Sequence, residues 1–285
     1  MFFKRICMVV VTLVFLGAAQ ARAHQVLTFG VHPFLSAVEL QERFTPLLEY
    51  LHARIGMPIE LDISSSYAEL VEKCIAEEVD FAFMGPALYV KADRRNQHLH
   101  LLGVIQGEIP GLRGAVVVRK GSPLQELADL KRKRIAFTSP DSTMGFQVPA
   151  HILVQAGVCL KDLDVYSFVG NHQNVAYAVL AGRFDAGAVK YEMFEKMQNQ
   201  GLRILHRVPN VVDHAFVASS CLDEQIVTRI EAALQDMHHN ENGRKTLRKV
   251  RPDLVKIVPA HDDDFANMRM YTQHANACLR RVSEE

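Results

Sequence analysis

Short apolar runs alternate with segments of helical periodicity along nearly all of this 285-residue chain. Runs typical of strands occupy residues 26–31, 59–63, 80–84, 99–106, 115–119, 135–138, 164–169, 185–189 and 202–208. Helical patterns occupy residues 36–55, 67–76, 147–156, 223–248 and 263–281. Strands that alternate with helices are typical of α/β proteins, so we expect an α/β fold whose sheets are mostly parallel.

Two segments rich in turn-forming residues, 107–114 and 208–213, indicate that the chain crosses between two lobes. The predicted lobes are residues 24–112 together with 213–285, and residues 113–212. The helices near the C-terminus are expected to pack back on the first lobe. Two lobes joined by two crossings are typical of a hinged binding protein that holds its ligand between them.

Residues 1–23 have the pattern of a cleavable signal peptide. Lys4 and Arg5 precede an apolar run, and Ala21-Arg22-Ala23 is a small-x-small cleavage site. The apolar run is shorter than a membrane span. We therefore expect an exported, periplasmic protein that begins near His24.

Charge and cysteine content narrow the class of protein. The chain has 32 basic and 32 acidic side chains, and loss of residues 1–23 removes three basic ones, leaving 29. This balance argues against a nucleic-acid partner. Cys74, Cys159, Cys221 and Cys278 are too widely spaced for a metal pattern, and the sequence cannot pair them in disulfides; Cys74 lies in a helical pattern that also suits a buried thiol. No cofactor and no metal are expected.

Ser142 and Thr143 stand between a predicted strand and a predicted helix. Hydroxyls at that position lie beside the unpaired backbone N–H groups at the positive end of the helix dipole, which favours an anion. The alternative is that one of the two hydroxyls only caps the helix.

Two further junctions carry polar residues of the same kind. Tyr67 falls in the first turn of a helix that begins with Ser66 and Glu69 in capping-box spacing, and His172 lies between a strand and a helix. In an open α/β sheet, ligands bind where strands end and helices begin. Either residue could instead be an ordinary packed tyrosine or one of the chain's 13 histidines without a special role.

Glu192 and Asp213 also follow strand ends. Two carboxylates near an anion site suggest a ligand that carries both negative and positive charge. Carboxylates in such positions are also commonly solvated surface groups, and that alternative stays open.

Together these motifs resemble a known family, the phosphate, phosphite and phosphonate-binding (PhnD-like) proteins of ABC transporters. The resemblance rests on the succession Tyr67-Ala68-Glu69-Leu70-Val71, Val79-Asp80-Phe81-Ala82-Phe83-Met84-Gly85-Pro86 with Tyr89, Asp141-Ser142-Thr143 with Gly145-Phe146 and Pro149, Gly170-x-His172, and Gly182-x-Phe184-Asp185-Ala186-Gly187. It implies the fold of type II periplasmic binding proteins, in which two α/β lobes joined by two crossover strands close on the ligand.

The resemblance also implies roles for individual residues. Tyr67, Ser142, Thr143 and His172 would hold the phosphonyl oxygens, and no lysine or arginine would be needed because neutral donors and helix N-termini can bind a dianion. Glu192 and Asp213 match positions that contact an amino group in the family members that bind aminophosphonates.

Two departures from the family leave the ligand's identity open. Met144 stands where a third hydroxyl residue is common, and Leu112 stands where a tyrosine is common. Each donor lost from an oxyanion site is worth about 1–3 kcal/mol if the ligand stays the same. The pocket would therefore take a less oxygen-rich or more apolar ligand, or use Arg113 as a compensating cation.

The expected function is capture of a small phosphorus oxyanion or phosphonate for delivery to an ABC permease in the membrane. The alternative is a sensory module that reports a similar ligand to a membrane histidine kinase or similar receptor. An enzyme is not expected: Ser142 and His172 could be imagined in a hydrolytic triad, but Ser142 lacks a Gly-x-Ser-x-Gly elbow and no His-Glu-x-x-His motif occurs.

Overall fold

The structure of the protein is a computed structural model that describes residues 26–95 and 99–283. The predicted signal peptide, residues 1–23, lies outside the described residues. The strands of the described part are β1 (Leu27–Val31), β2 (Ile59–Ile63), β3 (Phe81–Met84), β4 (His100–Gly107), β5 (Leu112–Arg119), β6 (Arg134–Phe137), β7 (Val165–Phe168), β8 (Ala186–Lys190), β9 (Leu202–Val211), β10 (Ala215–Ala218) and β11 (Leu254–Val258). Its α-helices are α1 (Ala37–Ile55), α2 (Tyr67–Ile75), α3 (Pro86–Arg95), α4 (Val148–Gln155), α5 (His172–Leu180), α6 (Tyr191–Met197), α7 (Glu224–Gln235), α8 (Glu241–Val250) and α9 (Ala266–Ser283).

Two sheets organise the chain, and the α/β fold is confirmed. One sheet has the strand order β11-β4-β10-β3-β1-β2, and the other has the order β7-β6-β8-β5-β9. Each has its own aromatic core. Phe29 and Phe81 meet at 4.8 Å between ring centroids in the first, and Phe137 meets Phe146 at 5.1 Å in the second.

The expectation of mostly parallel sheets is wrong. β1 pairs in parallel with β2 and β3, and β6 with β7 and β8, but the remaining ladders are antiparallel. Parallel neighbours need a long crossover connection, usually a helix. Such helices connect β1 to β2, β2 to β3, β6 to β7 and β7 to β8. In contrast, β5 and β10 each enter a sheet from the other sheet, and they run antiparallel to both of their neighbours.

Two short segments carry the chain between the sheets, residues 108–111 and residues 212–214. They lie side by side, because Leu112 of β5 pairs with Val211 of β9. Gly111 has a φ of 85°, and a Cβ added to it would stand 2.7 Å from the carbonyl oxygen of Val211. Only glycine fits this left-handed turn without strain.

The C-terminal helix α9 contacts both halves of the molecule, not the first lobe alone as expected. Arg269 is ion-paired with Asp93 of α3 at 3.1 Å. On the other side, Nδ1 of His274 lies 2.7 Å from Nδ1 of His151 in α4. The helix therefore spans the junction between the two sheets.

Cys74 is a buried free thiol, which is one of the two states expected for it. Burial raises the pKa of this thiol to about 12.

None of the helices in the described part of the chain has the length and apolar character of a membrane span.

Candidate functional site

A small cavity lies between the two sheets at the carboxyl ends of their parallel strands. This inner cavity has a volume of about 10 Å³, roughly the room that one water molecule needs. It is lined by His32, Tyr67, Gly85, Leu88, Leu112, Asp141, Ser142, Thr143, Met144, Lys190 and His214. Three of the predicted site residues, Tyr67, Ser142 and Thr143, therefore line the same cavity, although Tyr67 is far from the other two in the sequence.

Tyr67 contributes a buried hydroxyl that has no hydrogen-bond partner. The side chain is only 3% exposed, and its polar neighbours are the hydroxyls of Ser142 and Thr138. Burial raises the pKa of Tyr67, so the phenol stays protonated and can donate. An unpartnered donor in such a place costs free energy unless a ligand satisfies it.

The start of α2 explains how Tyr67 is positioned. Ser66 caps the helix by accepting from the Glu69 N–H at 3.1 Å. The Glu69 carboxylate accepts from the Ser65 N–H at 2.8 Å, one residue earlier than a standard capping box. The capped first turn directs Tyr67 toward the second sheet.

Ser142 and Thr143 begin a π-helical turn, Thr143–Gln147, that precedes α4. The Ser142 hydroxyl oxygen accepts from the Gly145 N–H at 3.1 Å, so Ser142 does cap this turn. Its proton is still available for donation. Gly145 permits this packing, because an added Cβ would stand 1.8 Å from the Thr138 hydroxyl oxygen.

Thr143 reaches across to the other sheet. Its hydroxyl oxygen accepts from the backbone N–H of Ala87 at 3.0 Å, at the start of α3. The N–H groups at a helix start are unsatisfied by the helix itself and favour an anion. Thr143 therefore stands where an anion could contact both lobes.

His172 lies behind the cavity and not on its wall. Its Nδ1 accepts from the backbone N–H of Lys190 at 3.1 Å, so the proton of the neutral ring is on Nε2. That Nε2 is buried and has no partner. Burial, followed by the charge of Lys190 and the nearby His214, lowers the pKa of His172 well below its ordinary value.

Lys190 places a cation in the site, which the sequence did not predict. Its Nζ donates to Nε2 of His214 at 2.9 Å and lies 3.9 Å from the ring centroid of Phe34. Within residues 26–95 and 99–283, no carboxylate lies within ion-pair distance of this ammonium group. Burial lowers the pKa of Lys190 to about 7, despite the opposing influence of Glu192 and Asp213.

Asp213 orients His214, the residue that accepts the hydrogen bond from Lys190. One carboxylate oxygen of Asp213 accepts from the backbone N–H and from Nδ1 of His214, at 2.8 Å and 2.9 Å. The other accepts from Arg251 at 2.6 Å. Burial alone would raise the pKa of Asp213, but these bonds and the Arg251 charge lower it. Burial and the charge of Lys190 lower the pKa of His214 to about 4, so that His214 is a neutral acceptor for the lysine.

Glu192 lies at the margin of the site, where it is ion-paired with Arg43 of the opposite lobe at 2.7 Å. It lines a second, larger space, the outer chamber, which has a volume of about 370 Å³. The outer chamber is lined by Phe34, Arg43, Phe83, Ile105, Glu108, Ile109, Gly111, Leu112, Arg113, Lys190, Tyr191, Glu192, Glu195, His214, Val250, Arg251, Pro252 and Asp253. It shares Leu112, Lys190 and His214 with the inner cavity.

Met144 and Leu112 are apolar walls of the inner cavity, as their departure from the family pattern implies. Arg113 does not enter the inner cavity. Its guanidinium lies 4.6 Å from the ring centroid of Tyr191, on the wall of the outer chamber.

Three residues of the site were not predicted from the sequence: Lys190, His32 and His214. His32 follows β1 and Lys190 ends β8, so the rule that ligands bind beyond strand ends would have selected both. His214 directly follows Asp213 at the second crossing. No group of three or more metal-ligating side chains occurs in the described ranges.

Comparisons with known proteins identify the family of the chain. Residues 29–265 match the family described as the periplasmic substrate-binding protein of phosphonate ABC transporters. The chain is 27% identical over 270 residues to the phosphate-import protein PhnD of Mycolicibacterium smegmatis, covering 86% of this chain and 84% of that protein. It is 26% identical to the probable ABC transporter phosphite binding protein PhnD1 of Prochlorococcus marinus, covering 86% and 88%.

Solved structures show the same fold. PhnD1 of Prochlorococcus marinus in complex with methylphosphonate superposes with a TM-score of 0.80 at 22% identity, over 88% of this chain and 98% of that one. The alkanesulfonate-binding protein SsuA of Xanthomonas axonopodis is more distant, with a TM-score of 0.64 at 18% identity, over 89% of this chain and 95% of that one. The family match covers most of the chain, and so this protein belongs to the periplasmic substrate-binding proteins of phosphonate ABC transporters.

Proposed function

We propose that the protein captures a small phosphorus oxyanion or phosphonate in the inner cavity and delivers it to an ABC permease. The observation that carries this proposal is the hydroxyl of Tyr67, which is buried without a partner in a cavity that also holds Ser142, Thr143 and Lys190. Three neutral donors and one cation, supplied by both lobes, suit a tetrahedral anion with several oxygens.

In this proposal the oxygens of the ligand contact Tyr67, Ser142, Thr143 and Lys190. His172 contributes its unpartnered Nε2–H, either to the ligand or to a water molecule beside it. The inner cavity has room for about one water molecule in this structure, so the lobes part to admit the ligand and the cavity widens to hold it.

A transport role is favoured over a sensory one. The relatives that match over most of their length are named as import or ABC transporter binding proteins, and nothing among them supports a histidine kinase partner. An enzymatic role is not proposed either. Ser142 is bonded to Gly145 and His172 to Lys190, so the two do not form a nucleophile–base pair.

A panel of anions tests the proposal. Phosphate, phosphite and methylphosphonate should raise the melting temperature of the protein, because a ligand at a hundred times its Kd stabilises the folded state by about 2.7 kcal/mol. Sulfate serves as the matched anion without phosphorus. If none of the three phosphorus ligands has an effect, the proposed function is wrong.

The variant Tyr67→Phe ties that result to the inner cavity. Calorimetry should show that it binds methylphosphonate about tenfold more weakly, a loss of about 1.4 kcal/mol. Because the hydroxyl has no partner within the protein, the ligand-free variant should be no less stable than the natural protein. Tyr177→Phe, at an exposed tyrosine of α5, is the control and should change neither property.

We also propose that residues 1–23 are a signal peptide that directs export to the periplasm. The basis is the sequence pattern and the periplasmic location of the family. Mass spectrometry of the exported protein should find His24 as its first residue; a chain that still begins at Met1 would refute cleavage.

A further inference from the structure

The outer chamber is the part of the site that faces whatever is attached to the anionic group of a ligand. It adjoins the inner cavity, with which it shares Leu112, Lys190 and His214, and its volume of about 370 Å³ is much larger. Phe34, Phe83 and Leu112 are buried and give it an apolar wall. A ligand seated by its phosphorus oxygens in the inner cavity would direct its substituent here.

Glu192, the first of the two carboxylates that could hold an amine, is already paired. Its oxygen accepts from the Arg43 guanidinium at 2.7 Å, and Arg43 also donates to the Val250 carbonyl at 3.2 Å. Both terminal nitrogens of the Arg43 guanidinium are therefore held by hydrogen bonds. An ammonium group would have to displace it or share its carboxylate.

Asp213, the second carboxylate, has both oxygens occupied. One accepts two bonds from His214, and the other accepts from Arg251, which is held in turn by Asp253 at 2.6 Å. Asp213 is 1% exposed and lies behind these partners. It cannot reach a ligand while they stay in place.

The charges that remain in the outer chamber do not favour a cation either. Among the described residues, Lys190 and Arg113 line it without an ion-pair partner, and both are partly buried. The acids without an ion pair there, Glu108 and Glu195, are exposed to solvent, where their attraction is weak.

From this arrangement we propose that the outer chamber selects organic phosphonates or phosphate monoesters whose substituent carries no positive charge, and disfavours aminophosphonates. The proposal rests on the proposed function of the inner cavity. A ligand ammonium would enter a chamber lined by Lys190 and three arginines, where the buried carboxylates are already paired and the unpaired ones are exposed to solvent. Leaving a charge unpaired in a partly desolvated site is strongly unfavourable.

An isosteric pair of ligands gives the direct test. Propylphosphonate and 2-aminoethylphosphonate differ only in a methyl group against an ammonium group. Calorimetry on the mature protein should show propylphosphonate binding at least tenfold more tightly. Ethyl phosphate has the same shape as propylphosphonate, with an ester oxygen in place of one methylene group. Whichever of these two ligands binds more tightly shows whether the chamber prefers a phosphonate or a phosphate monoester.

Equal or tighter binding of 2-aminoethylphosphonate would overturn the proposal while leaving the proposed function intact. Binding of methylphosphonate with rejection of all three longer ligands would overturn the role of the outer chamber alone. If phosphate and methylphosphonate also failed to bind, the proposed function would be wrong, and so would the proposed selectivity of the outer chamber.

The variant Arg43→Gln tests the reason for the selectivity. It releases Glu192 from its ion pair, so the preference for propylphosphonate over 2-aminoethylphosphonate should fall about tenfold or reverse. Arg54→Gln is the matched control on the same helix, because Arg54 pairs with Asp236 at the surface at 3.2 Å. An unchanged preference in Arg43→Gln would show that the ion pair does not set the selectivity.

Discussion

We expect the surroundings of Lys190 to change when the lobes part, a motion that belongs to the proposed function. It ends β8 of the five-stranded sheet, whereas Phe34 and His214, which its ammonium contacts, belong to the other half of the molecule. In this structure burial lowers the pKa of Lys190 to about 7. When the lobes part, the side chain regains water, and its pKa returns toward the ordinary value of about 10.4.

This difference makes closure of the ligand-free protein depend on pH. Between the two pKa values the open form binds more protons than the closed form, so closure releases a proton and rising pH favours it. Small-angle scattering should find the ligand-free protein more compact at about pH 9 than at about pH 6. Expansion, or no change, would contradict the burial of a charged lysine on closure.

Lys190→Gln separates this effect from other titrating groups. The groups that face Lys190 are His32, His172, His214, Glu192, Asp213, Arg43 and Arg251. All of them are kept in the variant, and only the lysine titration is lost. The pH-dependent change in compactness should therefore be smaller in Lys190→Gln than in the natural protein.

At the scale of single residues, the sequence predicted which hydroxyls meet but not how the charges pair. Tyr67, Ser142 and Thr143 were found because strand ends and helix starts are visible in the sequence. The ion pairs of Glu192 with Arg43 and of Asp213 with Arg251 join residues 149 and 38 positions apart. No local pattern indicates which cation will face a carboxylate across such a separation.

Among the elements, the two crossings between the sheets have the strictest packing requirement. Gly111 lies in the first crossing, packed against the Val211 carbonyl where the second crossing begins. A side chain there would need both a left-handed backbone and space that the carbonyl already occupies.

Gly111→Ala should therefore lower the free energy of unfolding by about 1–3 kcal/mol. Urea denaturation measures the change, and Gly121→Ala is the control, because a Cβ at Gly121 would meet nothing within 4 Å. Equal stability of the two variants would mean that the crossing tolerates rearrangement at this point.

The sequence predicted most helices and strands to within a few residues, and the misses have physical causes. Strand β10 is only four residues long, and an apolar run that short does not show a strand period. The helical pattern predicted for residues 223–248 is broken at Asp236–His239, because Asn240 starts a new helix by accepting from the Gly243 N–H at 2.7 Å. Strand direction depends on which strands pair, and single-sequence periodicity does not record that.

At the scale of the whole molecule, ion pairs connect the two halves. Arg43 pairs with Glu192 at 2.7 Å, Lys91 with Asp141 at 2.8 Å, and Lys196 with Glu39 at 2.7 Å. All are partly exposed, and each such pair contributes roughly 1 kcal/mol or less. These pairs join the two lobes in this structure, and we propose that a bound anion beside Lys190 offsets the burial of its charge.

We propose that residues 24–112 and 213–285 move as one lobe and residues 113–212 as the other. The sheet membership of the strands and the two adjacent crossings support this division. Helix α9 contacts both lobes through Asp93 and His151, so it must release one of them when they part.

The most direct test of the shared anion site is calorimetry of methylphosphonate binding to the double variant Ser142→Ala, Thr143→Ala. Thr228→Ala, at an exposed hydroxyl of α7, is the control for loss of a hydroxyl elsewhere. The double variant should bind more than tenfold more weakly than the natural protein, a loss of at least about 1.4 kcal/mol, because two donors from one lobe are removed. An affinity equal to that of the natural protein would show that the ligand is held elsewhere.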